Sequence, residues 1–497
     1  MNRPQTESHA IPAHAARHPR PWWPTLALMG AQALIAAAVI LLGPIEAGRW
    51  ASDHFNHHEP VIREFAGQIY SQQQGGLDLS DYGSATTPGY HLLLALMHPI
   101  AGPGREGLML AGSVFTIALV GLLSRLLIVR AGVRTGVVLT LPVMASLYVF
   151  PAGVWLLPDN AGWLGVLAVL GLALHARCRV RLVVLGGLVL IPLVLFRQVH
   201  LWAAAVIWTA AWLGPAGSDS PGDTGTGGYL ERPLDRVREL FTRWPSRANW
   251  MASAVAATLP AFGVVGWFAL TWGGLVPPRF QGMYHGANLA TPTLTLSVIG
   301  LVTPAFLPFI WPGVRSLWAG SRGLVYGAAA IGLVAAVLPA TTFDPEAGRI
   351  SGIWTIAARL PEIGGRISPI VVVSAPVGAL AVVGLLRRVD PRTGWVLLGA
   401  LVAFVAAQSA THEAWQRYHE PFVLMWLALA SAAAIGAGGR TPTRAALVFP
   451  LGVGLVMALA TGLRIGSAQN LPRIEPEALQ RAIDADPLDG RPPGALR

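Results

Sequence analysis

The sequence predicts an all-α, polytopic membrane protein of about thirteen transmembrane helices, with a long first outer loop carrying two interfacial helices. Three observations predict it. Of the 497 residues 53% are hydrophobic and only 12% charged, and the mean hydropathy is +0.53, a balance foreign to soluble domains of this size. Windows free of Asp, Glu and Arg recur along the chain at close to the length that a bilayer core demands. The charges between those windows alternate in sign.

In order, residues 1–20 are polar and read as a disordered cytoplasmic N-terminus. The first span covers about 25–44, too long for a cleaved signal segment and followed by no small-residue cleavage site. Further apolar windows run over 107–124, 135–158, 160–176, 182–196 and 198–217, completing an N-terminal membrane module at 21–213. The Gly-, Ser- and Pro-rich stretch 214–247 reads as a cytoplasmic linker. A C-terminal module at 248–465 follows, with windows at 248–278, 289–314, 323–343, 367–386, 393–412, 421–439 and 445–463. The Pro-rich remainder, 466–497, reads as a flexible tail.

Orientation follows from the connections. One alternating set holds Arg125, Arg130, Arg134, Arg177, Arg179, Arg181, Arg315, Arg322, Arg387, Arg388, Arg392, Arg440 and Arg444, with Asp390 the sole acid. The other set collects Glu46, Asp53, Glu59, Glu64, Asp78, Asp81, Glu106, Asp159, Asp344, Glu346, Glu362, Glu413 and Glu420, with fewer arginines. The positive-inside rule makes the first set cytoplasmic and puts the first loop, 45–106, outside. That parity holds if 88–100 does not cross. Thr87 as N-cap and Pro88 at the first helical position start a short interfacial helix there, and Ile62, Phe65, Ala66 and Ile69 form an apolar stripe on a second. Ile353, Ile356, Ala357 and Leu360 repeat that stripe later.

The net charge of +10 is spread between apolar windows and gives no continuous basic face, so nucleic acid is not an expected partner. The chain has no lysine, and its single cysteine, Cys178, excludes an intrachain disulfide.

Candidate chemistry concentrates on the outer side. Asp53 can act as a general base on a hydroxyl; the bland alternative is a helix-capping loop acid. Asp53 with His54, His57, His58 and Glu59 admits a possible divalent metal, though no metal ligand set is assigned. Arg197, in Phe196-Arg197-Gln198, closes the fifth span where a guanidinium can meet a lipid phosphate or simply snorkel. Arg417, with Tyr418, His419 and Glu420, stands in the same way near the last outer loop. Arg279, Gln281, Tyr284 and His285 form a further cluster, and Asp159 with Asn160 another, where the acid could also serve as a cap.

These motifs, in this order, resemble the GT-C superfamily of membrane glycosyltransferases, and most closely the dolichyl-phosphate-glucose-dependent alpha-1,2-glucosyltransferases. The matching elements are Asp53 and His57 in the first loop, Thr86-Thr87-Pro88-Gly89, Asp159-Asn160-Ala161-Gly162, Phe196-Arg197-Gln198, Gly273-Gly274 with His285, and Arg417-Tyr418. His54 stands where the family carries a second acid. The resemblance implies an inverting transferase that moves a hexose, glucose being the family's sugar, from a polyprenyl-phosphate donor to an envelope or lipid-linked glycan. It implies Asp53 as the base and His57, Asp159, Arg197, Gln198, His285 and Arg417 as substrate-binding residues. The arginine-only, Gly- and Ala-rich composition suggests a bacterium of high genomic GC content, which implies a bacterial polyprenyl carrier and an inner (plasma) membrane enzyme with its site on the periplasmic or outer side. The competing class is a transporter or flippase of a lipid or glycan precursor, which would place ionisable groups at mid-membrane.

Overall fold

The computed structural model of the chain describes residues 20–43, 45, 49–70, 77–102, 104–176, 178–214, 244–282, 284, 286–438 and 442–467. The expected N-terminal segment, most of the 214–247 linker, His285 and all but two residues of the tail lie outside them. In their described residues twelve of the thirteen apolar windows each fall on one helix or on a helix with its leading turn; the window 135–158 holds two, Val133–Met144 and Phe150–Val154.

Helix α1 covers Trp23–Leu42. A continuous helix α2 follows, made of Arg49–Asp53, a π-helical turn His54–His58, and Glu59–Tyr70. Then come α3 (Gly89–Ala101), α4 (Arg105–Ala131), α5 (Val133–Met144), the short α6 (Phe150–Val154), α7 (Asp159–His175) and α8 (Arg179–Phe196). A 3₁₀ turn at Gln198–Trp202 leads into α9 (Ala203–Leu213). The second module holds α10 (Trp244–Trp272), α11 (Thr291–Gly320), α12 (Arg322–Val337), α13 (Ile353–Ala357), α14 (Pro369–Leu386), α15 (Pro391–Ser409), α16 (Gln416–Gly438) and α17 (Arg444–Ser467).

Among the described residues nine helices are long and apolar enough to cross a membrane, which makes this an integral membrane protein. Four further apolar helices, α5, α7, α12 and the α9 unit, have 10–17 residues. At about 1.5 Å per residue these fall short of the hydrocarbon thickness, roughly 30 Å, unless flanking turns extend them. Exposed Leu34, Leu42, Leu270, Leu338 and Leu455 lie on α1, α10, α17 and at the end of α12. In water such a belt would aggregate; facing lipid it costs nothing.

Helix α16 is the buried centre, with 83% of its apolar span inside the protein. Phe422 on it stacks on Phe404 of α15 at 4.2 Å, and Trp202 meets both rings edge-on at 5.4 and 5.6 Å. Helices α11 and α14 lie with backbones touching. A Cβ at Gly300 would come 2.0 Å from the Ser374 carbonyl oxygen, and one at Gly378 would come 1.9 Å from that of Leu296. Without a hydrophobic drive between helices in lipid, such small-residue seams allow close packing.

The first loop differs from the expectation in two details. The polar stretch around Asp53 is helical, and the π turn changes its facing. Glu59 N–H donates to the His54 carbonyl, so residues five apart align, and His54 Nε2 meets Glu59 Oε2 at 2.9 Å. Five residues on an α-helix would fall on different faces. Thr87 does not cap α3 either: the helix begins at Gly89 with Pro88 as its cap, and the Thr87 hydroxyl donates to the Val194 carbonyl. Of the first expected stripe Ile62, Phe65 and Ala66 are buried inside the first loop's core; the later stripe forms only the short helix α13, in which Ile353 and Ala357 are buried while Ile356, and Leu360 beyond the helix end, are exposed.

Candidate active site

The site is assembled from three helix ends and the π turn of α2. Asp53 lies where α2 passes into its π turn, Asp159 opens α7, Arg197 closes α8, and Arg417 is the second residue of α16. Arg417 Nη1 donates to Asp53 Oδ2 at 2.5 Å, and its Nη2 donates to Asp159 Oδ2 at 2.8 Å. Arg197 Nη1 donates to the other oxygen of Asp159. Residues 364 and 258 positions apart in sequence thus share one guanidinium. The capping alternative for Asp159 fails: Pro158 is the cap residue, and the carboxylate is spent on two arginines.

Burial grades the four. The Asp159 side chain is 2% exposed, Arg197 12%, Arg417 14% and Asp53 32%, so Asp53 is the member that reaches solvent. Two cations against two carboxylates leave the cluster formally neutral, which is how such charges tolerate burial. The Tyr418 ring lies between Trp415, stacked at 5.5 Å, and Arg197, whose guanidinium carbon is 5.0 Å from the ring centre. Tyr418 thereby holds Arg197 by a cation–π contact as well.

The turn before Asp159 carries strain. Leu156, fully buried, has φ +40°, a left-handed conformation that costs a branched residue about 1–3 kcal/mol and occurs mainly where function requires it. Trp155 anchors the turn by donating to the Ile45 carbonyl at 2.8 Å. Asn160 donates to Thr116 Oγ1 at 2.6 Å and to the Val149 carbonyl at 2.7 Å, fixing the start of α7. Gly162 is required by crowding: a Cβ there would lie 2.7 Å from the His200 ring.

Gln198 is fully engaged with backbone. Its Oε1 accepts from Thr87 N–H at 3.0 Å, and its Nε2 donates to the carbonyls of Ala85 and Leu275, each at 2.9 Å. It pins the first loop to the segment after α10. Arg279 performs a similar service through Asp81 at 3.2 Å. His57 is exposed, its ring 6.1 Å from that of Phe280.

Beneath Arg197 opens a cavity of about 510 Å³, lined by Arg197, His200, Trp208, Phe262, Tyr284 and Tyr418 among others. Its walls are mostly apolar, with Arg197 and Glu413 the charged side chains among them. That form suits an amphiphile with an anionic head. Burial pushes the Tyr284 phenol well above its ordinary value, so it is a neutral hydrogen-bond donor there.

A second polar network braces the first loop and was not legible beforehand. Glu59 accepts from Arg105 Nε at 2.7 Å and from Arg63 Nε at 2.8 Å in addition to its contact with His54. Burial alone would raise the Glu59 carboxyl, but these partners hold it down at about 2. His58 Nδ1 and His91 Nε2 are 2.9 Å apart and stacked; burial lowers both, His91 to about 3, so the pair is neutral.

These residues do not fit a divalent metal. Asp53 already faces a guanidinium, His54 is committed to Glu59 and His58 to His91, and among the described residues no three His, Cys, Asp or Glu side chains converge.

Fold and site together define an all-helical polytopic membrane protein with an ion-paired acid–arginine centre above an apolar cavity. No protein-family model and no curated protein matches the chain. Among solved structures it is similar to apo ArnT from Cupriavidus metallidurans at 17% identity, over 89% of this chain and 77% of that one, with a TM-score of 0.35. So loose a superposition leaves the functional reading to rest on the site.

Proposed function

We propose that this protein is an inverting membrane glycosyltransferase of the GT-C type, moving a hexose, with glucose the first candidate, from a polyprenyl-phosphate donor to an envelope or lipid-linked glycan at the non-cytoplasmic face. The observation that carries the reading is the meeting of Asp53, Asp159, Arg197 and Arg417 in one cluster, of which Arg197 also lines the apolar cavity. Four residues marked by the resemblance, from four distant segments, form one cluster.

The chemistry is a single displacement. An oxygen of Asp53 accepts the proton of the acceptor hydroxyl as that oxygen bonds to the anomeric carbon from the face opposite the phosphate. The bond from the anomeric carbon to the phosphate oxygen breaks, and its electron pair leaves with polyprenyl phosphate. Arg197 and Arg417 oppose the growing negative charge, and the prenyl chain occupies the cavity. His57 is exposed near the acid, where an acceptor sugar can be met; Gln198 sets the loop that frames it. Ionisable groups gathered at helix ends, rather than on broken helices at mid-membrane, favour transfer over transport.

The test is to reconstitute the purified protein in nanodiscs with polyprenyl-phosphate-glucose, and in parallel with other polyprenyl-phosphate hexoses, and to measure release of polyprenyl phosphate with a glycan acceptor extract. Consumption of one donor, abolished in Asp53→Asn, is expected. If no donor is consumed while the protein remains folded, the transferase reading is wrong.

A further inference from the structure

We infer that Arg417 is a lock on Asp53 which the donor's phosphate opens, so that the donor must bind before the acceptor can be activated; the inference rests on the transferase reading. The argument begins with the charge arrangement. Among the described residues the two aspartates and two arginines balance in charge, so the cluster offers an incoming phosphate no net positive charge. A phosphodiester monoanion that meets Arg197 from the cavity gains Arg417 as a second guanidinium by taking its Nη1 from a carboxylate.

The competition is unequal. Asp159 is buried, and its two oxygens are held by different arginines, so displacing it would strand a carboxylate inside the protein. Asp53 is held by Arg417 alone among the four, is one-third exposed, and on release can be solvated. The phosphate therefore replaces Asp53 on Nη1 of Arg417, while Asp159 keeps the Nη2 end in place. Asp159 is thus a positioning residue: it holds Arg197 and Arg417 as two sides of a clamp.

The exchange has a chemical consequence. With Arg417 donating to it at 2.5 Å, Asp53 Oδ2 is turned to the guanidinium and not to an acceptor hydroxyl. Once the phosphate has taken that N–H, the oxygen is free for the acceptor hydroxyl. Without donor the base stays locked, and a bound acceptor is not activated.

Binding of undecaprenyl phosphate to the full-length protein in nanodiscs, by calorimetry, tests the exchange. Asp53→Asn removes the competitor, so it should bind the phosphate about tenfold more tightly than the parent although it transfers nothing. Arg417→Gln should bind more weakly, and adding Asp53→Asn to Arg417→Gln should change affinity less than twofold. Should Asp53→Asn prove unstable, Asp53→Ser gives the same comparison. Isotope trapping adds the order: preformed protein–donor complex is captured by added acceptor, and preformed protein–acceptor complex is not. Unchanged or weaker binding in Asp53→Asn, or equal tightening in the Arg417→Gln background, overturns the exchange while leaving the transferase reading intact. No binding by any form, with all forms folded, removes the donor class and the exchange together.

Discussion

Replacing Asp159 with Asn should destabilise the protein far more than replacing Asp53 with Asn, although the two acids share an arginine. In the Asp159→Asn protein, Arg417 still has Asp53 at 2.5 Å, but Arg197 keeps only the Tyr418 ring at 5.0 Å as a charge partner. Arg197 is 12% exposed, and its Nε is buried with no hydrogen-bond partner, so little water can reach it. Removing one member of a buried pair typically costs about 3–5 kcal/mol, mostly the penalty of the charge left behind. The Tyr418 contact is present in parent and variant alike and offsets none of it, so the net expectation is about 3–5 kcal/mol. For Asp53→Asn, Arg417 retains Asp159 at 2.8 Å, the site is one-third exposed, and the amide oxygen still accepts, so about 1 kcal/mol or less is expected. Reversible unfolding in mixed micelles measures both. A double change, Asp159→Asn with Arg197→Gln, should cost less than the sum of the singles, because the stranded charge goes with its partner. Equal costs for Asp159→Asn and Asp53→Asn would refute the graded-burial argument.

Other outcomes can be checked alongside. In a Cys178→Ser background, an impermeant thiol reagent applied from outside should label a cysteine placed at Ser80 and spare one at Arg388; the reverse pattern overturns the orientation. Gly162→Ala should cost about 1–3 kcal/mol and at least tenfold in activity, because the added Cβ must push the His200 ring, 2.7 Å away, and reaches within 3.5 Å of Arg197. Gln198→Ala leaves one N–H and two carbonyls without their partner, so amide exchange around residues 85–87 should accelerate while α8 is unaffected; unaltered exchange would remove its bracing role. On acidification, His58 and His91, lowered in the folded state, make the unfolded chain the better proton binder below its ordinary 6.5. Stability should therefore fall as pH drops from 6.5 toward about 3, and His91→Gln should flatten that slope. Glu59, held at about 2 against an ordinary 4.5, adds a loss between those values that Glu59→Gln should abolish.

What the sequence by itself determined was everything that depends on local pattern. Charge-free windows of bilayer length specify helices because lipid leaves the backbone no other partner, and each of the thirteen windows is helical over most of its described length, 135–158 as two helices. The apolar stripe at Ile62, Phe65, Ala66 and Ile69 was legible because helical periodicity needs no knowledge of the rest of the chain. The short motifs marked Asp53, Asp159, Arg197 and Arg417 one at a time, each with an equally ordinary explanation as a cap or an interfacial anchor. Only the tertiary structure removed those explanations, by bringing residues hundreds of positions apart within hydrogen-bond distance. It also decided what no local pattern encodes: that Gln198 spends its amide on backbone, that Gly162 makes room for His200, and that a π turn aligns His54 with Glu59. Helix formation is set by neighbours in sequence, but the pairing of buried charges is set by which helix ends the packing brings together.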